Sequence, residues 1–192
     1  MIAPEEIMPH HPFNIRPTPF SRRHFLQYAG ALGACLPPAT FAGASEARTL
    51  KFVHTHTGEK LLARYARDGR YLPQCLEQVN HFLRDFRTGD SHPIDPGLLD
   101  VLFDLQLAAD RDDTFEINCG YRSPATNASL RSKSSGVAEH SLHMEGKAID
   151  IRLTGFSTRK LRGLAMSLQR GGVGYYASSN FIHVDTGRVR YW

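Results

Sequence analysis

His140-Ser141-Leu142-His143-Met144-Glu145-Gly146-Lys147-Ala148-Ile149-Asp150 changes character at Gly146. Before the glycine lies a loop carrying two imidazoles. After it, Lys147 to Leu153 alternates as a strand does: Ile149, Ile151 and Leu153 share one face, and Ala148, Asp150 and Arg152 share the other. Parity therefore turns Asp150 away from the core, and small Ala148 leaves room beside it for an ion. Phe181-Ile182-His183-Val184-Asp185 repeats the pattern, with Ile182 and Val184 inward and His183 and Asp185 together on the other face. His143 on its loop, Asp150 and His183 meet if the two strands are neighbours, which an antiparallel sheet built from hairpins provides. Two imidazoles and one carboxylate form the ligand set of a catalytic zinc that keeps its fourth position open for water. With no third carboxylate, magnesium and calcium are poorer fits.

Working outward, Val173-Gly174-Tyr175-Tyr176 pairs with the last strand through an Ala177–Asn180 loop, and Ser157 caps a helix with the stripe Leu161, Leu164, Ala165 and Leu168. Pro73 to Arg87 reads as a helix on Cys75, Val79, Phe82, Leu83 and Phe86; Pro96 to Asp110 reads as a second, capped by Asp95. Thr114 to Cys119 is a strand ending at Gly120-Tyr121-Arg122-Ser123-Pro124, a turn that sets Arg122 at a strand end. Ala125 to Gly136 begins as a short helix and continues as a loop able to wall a groove. Leu50–His56 and Lys60–Tyr65 read as a polar hairpin at the rim; His54 and His56 on it are expected to be solvated. The expected fold is α+β, a small antiparallel sheet flanked by helices.

The first 44 residues read differently. Ser21-Arg22-Arg23-His24-Phe25-Leu26, a short apolar run to Leu36, and Ala42-Gly43-Ala44 follow the order of a twin-arginine export signal with a small-residue exit. The run is too short to be a membrane span. Leu32-Gly33-Ala34-Cys35 loosely resembles a lipid-attachment box, so anchoring at Cys35 is the less favoured alternative. The expected mature domain is residues 48–192, a monomer. Removing residues 1–44 takes away Arg16, Arg22, Arg23, Glu5 and Glu6 and leaves 20 basic against 17 acidic side chains over residues 45–192, a net charge of +3. A balance that small, without like-charge runs, argues against nucleic acid as partner. Cys75 and Cys119 either pair in an oxidising compartment or stay as buried thiols.

Hydrolysis by such a centre needs a base and a cation for the developing oxyanion. Asp185, about 7 Å along the strand from His183 at about 3.3 Å per residue, either takes the water's proton or orients His183. His140 is the next candidate base, and Arg122 the candidate oxyanion stabiliser. Taken alone, the pattern also fits two buried histidines and an ion pair.

Gly120-Tyr121-Arg122-Ser123, Ser141-x-His143-x-x-Gly146-x-Ala148-x-Asp150 and His183-Val184-Asp185 resemble the zinc peptidases that include bacterial D-alanyl-D-alanine dipeptidases and carboxypeptidases. The likeness extends over Asn80–Arg87, Ile94–Leu98 and Gly171–Trp192, nearly the whole chain. It implies the hedgehog/D-Ala-D-Ala peptidase fold, zinc on His143, Asp150 and His183, Arg122 near the substrate carbonyl, and a periplasmic enzyme acting on peptidoglycan cross-links. The favoured link is that between two diaminopimelate residues. A carboxypeptidase trimming stem peptides, or an inactive peptidoglycan-binding protein with structural zinc, are the alternatives. The dipeptidase branch carries a glutamate base three residues before its last histidine ligand; here that position is Asn180.

Overall fold

The computed structural model describes residues 47–134 and 136–192; the expected export signal over residues 1–44, with Cys35, lies outside them. Along the chain run β1 (Ala47–His54), β2 (Lys60–Arg67), β3 (Arg70–Tyr71), α1 (Pro73–Phe82), α2 (Pro96–Ala108), β4 (Phe115–Cys119), α3 (Pro124–Lys133), β5 (Ala148–Leu153), α4 (Thr158–Leu168), β6 (Gly172–Tyr176), β7 (Phe181–Asp185) and β8 (Arg190–Tyr191).

Eight strands form one sheet in the order β3-β2-β1-β4-β5-β7-β6-β8. The class is α+β as expected, but the sheet is large and mixed rather than small and antiparallel. β1 with β4 and β6 with β8 run parallel, because α1 and α2 carry the chain back beside β1 and the turn after β7 brings the C-terminus beside β6. The first hairpin lies at one end of the sheet, where β2 meets only the two-residue β3 through Ala66 and Arg67, but its inner strand β1 is paired on both sides, with Leu50 and Phe52 buried against the helices. Its polar residues occupy the opposite face, which is what gave the segment the look of an edge.

One core gathers the inward residues of the strands against three helices. Leu50, Phe52, Phe115, Ile117, Ile149, Ile151, Ile182 and Val184 meet Val79 and Phe82 of α1, Leu98, Leu102 and Leu105 of α2, and Leu161 of α4. Burying a side chain of this size contributes about 1.5–3 kcal/mol, so this layer fixes the register of β5 against β7. Asp95 accepts from Gly97 N at 2.9 Å and Ser157 caps α4 through Lys160 N, as their positions predicted. α1 stops at Phe82, short of the expected Arg87. The reason is local: Leu83 O accepts from Tyr121 N at 2.7 Å, and Asp85 is committed to the turn after β4.

Candidate metal centre

Pairing across the sheet sets the site. Asp150 on β5 lies opposite His183 on β7, and on its other side opposite Cys119 on β4. Directly paired residues point to the same face, so these three side chains stand in a row on the face turned away from the helical core. His143 reaches them from the 3-10 turn Leu142–Glu145, whose entry Ser141 caps through His143 N. Gly146 ends that turn at φ +67°, and a Cβ there would sit 2.1 Å from Pro93 O. No other residue fits the position without displacing the 92–95 segment.

The donor atoms converge. His143 Nε2 stands 3.2 Å from His183 Nδ1 and 3.3 Å from Asp150 Oδ1; His183 Nδ1 is 3.1 Å from the same oxygen. Donors about 2.0–2.2 Å from a tetrahedral zinc stand about 3.3–3.6 Å apart, so the three contacts nearly equal the edges of such a tetrahedron. The outer hydrogen bonds fix both tautomers. His143 donates Nδ1–H to Gly120 O at 2.8 Å, and His183 donates Nε2–H to Asp185 Oδ2 at 2.9 Å. Each imidazole is left with a lone pair facing the other and facing a carboxylate. Three acceptors in contact call for a cation, and these residues fit one.

Electrostatics agree. Burial would raise the Asp150 carboxyl, but His143 and His183 hold it well below the usual carboxylate range. Burial would lower His143, yet Asp150 and then Cys119 push it up to about 10. The site stabilises positive charge at the point where the donors meet.

Behind His183, Asp185 is fully buried and saturated. Oδ1 accepts from Gly172 N at 3.0 Å, Gly187 N at 2.9 Å and Arg190 Nη1 at 3.0 Å; Oδ2 accepts from Arg190 Nη2 at 2.7 Å besides His183. Burial opposes its ionisation, but His183, Arg190 and the two backbone donors keep it well below the ordinary range.

In front of the donors opens a cavity of about 440 Å³ lined by Arg122, His140, Asp150, Tyr176, Trp192 and the 136–138 segment, among others. Arg122 Nη2 lies 4.0 Å from Asp150 Oδ2, its Nη1 donates to Asn127 Oδ1 at 3.3 Å, and its buried Nε has no partner among the described residues. Asp85 anchors the turn that carries Arg122, accepting from Ser123 N at 2.9 Å and Ser123 Oγ at 2.7 Å. His140 is exposed at the cavity wall. Asn180 instead bonds Thr158 Oγ1 and does not line this cavity. His54 is buried rather than solvated, its Nδ1 accepting from His56 N and Thr57 N; exposed His56 stacks on Phe86.

Three residues near the centre were not singled out from sequence. Asp85 had a signal, an acid set among the apolar positions Phe82, Leu83 and Phe86. Trp192 had none: it covers Gly174, where a Cβ would lie 2.6 Å from its ring, and sits 5.2 Å from the His183 ring. Cys119 was read only as a buried thiol or a partner for Cys75; strict alternation would put it on the face of Ile117, but a register shift between Ile117 and Cys119 re-aims it. Its Sγ belongs to a donor group with His143 and Asp150 whose ligand atoms lie within 4.8 Å of one another. Cys75 and Cys119 are both free thiols. Among the described residues no helix is long and apolar enough to cross a membrane.

The family model for peptidoglycan L,D-endopeptidase MepK matches residues 42–192. The chain is 43% identical over 177 residues to peptidoglycan L,D-endopeptidase MepK of Escherichia coli K12, covering 90% of this chain and 97% of that protein. It is 42% identical to the probable peptidoglycan L,D-endopeptidase MepK of Haemophilus influenzae, over 90% of this chain and 95% of that protein. With a family match over the whole described domain and relatives aligned nearly end to end, the chain belongs to the MepK family of peptidases.

Proposed function

We propose that this chain is a zinc-dependent, periplasmic L,D-endopeptidase that opens peptidoglycan cross-links, favouring the link between two diaminopimelate residues. The observation that carries the reading is the convergence of His143 Nε2, Asp150 Oδ1 and His183 Nδ1 at 3.1–3.3 Å, with both tautomers fixed from behind. The L,D designation of the relatives favours the diaminopimelate link, whose carbonyl comes from an L centre, over the D-Ala link, which joins two D centres. The twin-arginine pattern at Arg22-Arg23 supports export.

His143, Asp150 and His183 would hold the zinc, which would lower the pKa of a bound water from 15.7 towards about 7 and polarise the scissile carbonyl. His140, exposed on the cavity wall, takes the proton of that water and returns it to the leaving amine. Asp185 does not serve as that base: with no exposed side-chain surface and five hydrogen bonds, it reaches the reaction only through His183. It is a positioning residue. Arg122, with an unpartnered Nε and its guanidinium beside Asp150, stabilises the developing oxyanion.

The test is incubation of the zinc-loaded chain with muropeptide dimers of both link types and with uncross-linked stems, with and without chelator. Cleavage of diaminopimelate-linked dimers that stops with chelator is expected. Removal of terminal residues without dimer cleavage makes the chain a carboxypeptidase, and zinc binding without any cleavage leaves a binding protein. For His140→Ala the expected result is lost turnover with zinc affinity retained; an unchanged rate removes His140 as the base.

A further inference from the structure

Cys119 sits where a structural cysteine has no reason to be. Strict alternation along β4 would place it on the same face as Ile117, against the helical core. The register shift after Ile117 pairs it instead with Asp150, so its side chain joins the row Cys119–Asp150–His183 across three neighbouring strands. Bulges of this kind re-aim a side chain, and this one aims a sulfur at the donors. The Sγ, His143 and Asp150 ligand atoms fall within 4.8 Å of one another. Around the sulfur the polar neighbours are Arg122 Nη2 at 3.7 Å and Gly120 O at 3.7 Å, the carbonyl that also orients His143.

We infer that the Cys119 sulfur is a fourth protein donor to the ion held by His143, Asp150 and His183, so that the centre alternates between a closed form with sulfur bound and an open form with water bound. The inference rests on the metal reading of the site proposed above. Sulfur and nitrogen on one tetrahedral zinc stand about 3.6 Å apart, from Zn–S near 2.3 Å and Zn–N near 2.0 Å; Sγ falls within 4.8 Å of the His143 and Asp150 donors but not of His183, so a rotation of the Cys119 side chain towards His183 is what brings it into the sphere. On coordination the thiol proton leaves to solvent and the sulfur takes the place of the water; on release a water and a proton return. Sulfur also changes what the site prefers. Two imidazoles, a carboxylate and a thiolate suit zinc or cobalt over the hard, oxygen-seeking ions. In the closed form the place the attacking water needs is filled by the protein itself, which makes Cys119 a brake on hydrolysis and a retainer of metal.

Cobalt(II) tests this without reference to turnover. The full chain, stripped of metal and titrated with cobalt, is expected to show ligand-field absorption from the bound ion together with a near-ultraviolet thiolate-to-cobalt charge-transfer band. Cys119→Ser and Cys119→Ala should keep the ligand-field absorption, lose the charge-transfer band and bind zinc about tenfold or more weakly in chelator competition. Cys75→Ser should keep both bands. Ligand-field absorption in the wild type with no charge-transfer band, unchanged by Cys119→Ser, overturns the inference and leaves the three-donor site standing. Failure of cobalt and zinc to bind at all overturns the metal reading itself. A further consequence is that Cys119→Ser, once zinc-saturated, turns over faster than the wild type; a rate no faster removes the braking role.

Discussion

Replacing Asp185 by Asn separates a base from a positioning residue. The asparagine oxygen can keep the Oδ1 position, still accepting from Gly172 N, Gly187 N and Arg190 Nη1. Its amide then stands where Oδ2 was and meets two donors, Arg190 Nη2 at 2.7 Å and His183 Nε2–H at 2.9 Å. The Arg190 contact has no remedy, and losing a charge-assisted bond at a buried site costs about 1.5–3 kcal/mol. His183 has one. By moving its proton to Nδ1 it can accept from the new amide, but Nδ1 is the atom that faces Asp150 and His143. Asp185→Asn is therefore expected to lower the stability of the fold by about 2–3 kcal/mol and to weaken zinc binding about 10–100-fold, the usual range for losing the partner of a ligating histidine. Urea unfolding of the metal-free protein reads the first, and competition against a chromophoric chelator reads the second. A pure base would leave metal affinity untouched, so a variant that binds zinc as tightly as the wild type yet fails to turn over refutes the positioning role.

Asp85→Ala leaves Ser123 N and Ser123 Oγ without their buried acceptor, and a loss of about 2–4 kcal/mol is expected from two such groups, read as a lower urea midpoint. Burial opposes the Asp85 carboxylate, but Thr126, Ser123 and Arg87 hold its pKa below the reference 3.8. Its contribution is thus complete above that value and fades as the pH falls below it, so the stability gap between wild type and Asp85→Asn should shrink between pH 5 and pH 3; a gap that widens on acidification contradicts the assignment. At Gly146 an alanine meets both a φ of +67° and a carbonyl oxygen 2.1 Å from its Cβ. Strain of about 1–2 kcal/mol from the backbone alone plus the displaced 92–95 segment should lower the melting temperature by several degrees, and an unchanged melting curve would show that the turn is not held there.

What the sequence disclosed followed from period and parity. The alternation in Lys147–Leu153 and Phe181–Asp185 was enough to place Asp150 and His183 on one face, because strand parity is a local property of the backbone. The helices from Pro96 and from Ser157 were legible for the same reason, their caps and stripes being contained within a few residues. Features that depend on distant pairing were not. The parallel joins of β1 to β4 and β6 to β8 arise from crossovers, which leave no mark on the strands they connect. Cys119 was hidden because a single extra residue inverts parity, and nothing in Thr114–Gly120 announces a bulge. His54 looked solvated because polar sequence around it belongs to the turn it caps, with two backbone N–H groups on its Nδ1.

The base is where local pattern and three-dimensional arrangement pull furthest apart. Sequence spacing favoured Asp185, two residues from a ligand on the same strand face. Depth argues against it: that face carries His183 between Asp185 and the cavity, and the carboxylate already holds Arg190, two backbone amides and the imidazole. Asn180, at the position where the dipeptidase branch has its glutamate, turns to Thr158 of α4 instead. On the proposed reading a histidine on the opposite wall does what an acid on β7 cannot, which would place the proton acceptor and the proposed ligand His143 in one segment, three residues apart. Motion of the 136–140 segment would shift the base without disturbing the metal. In such a site, changes in this segment should appear in kcat at constant zinc affinity, whereas changes behind β7 should appear in both.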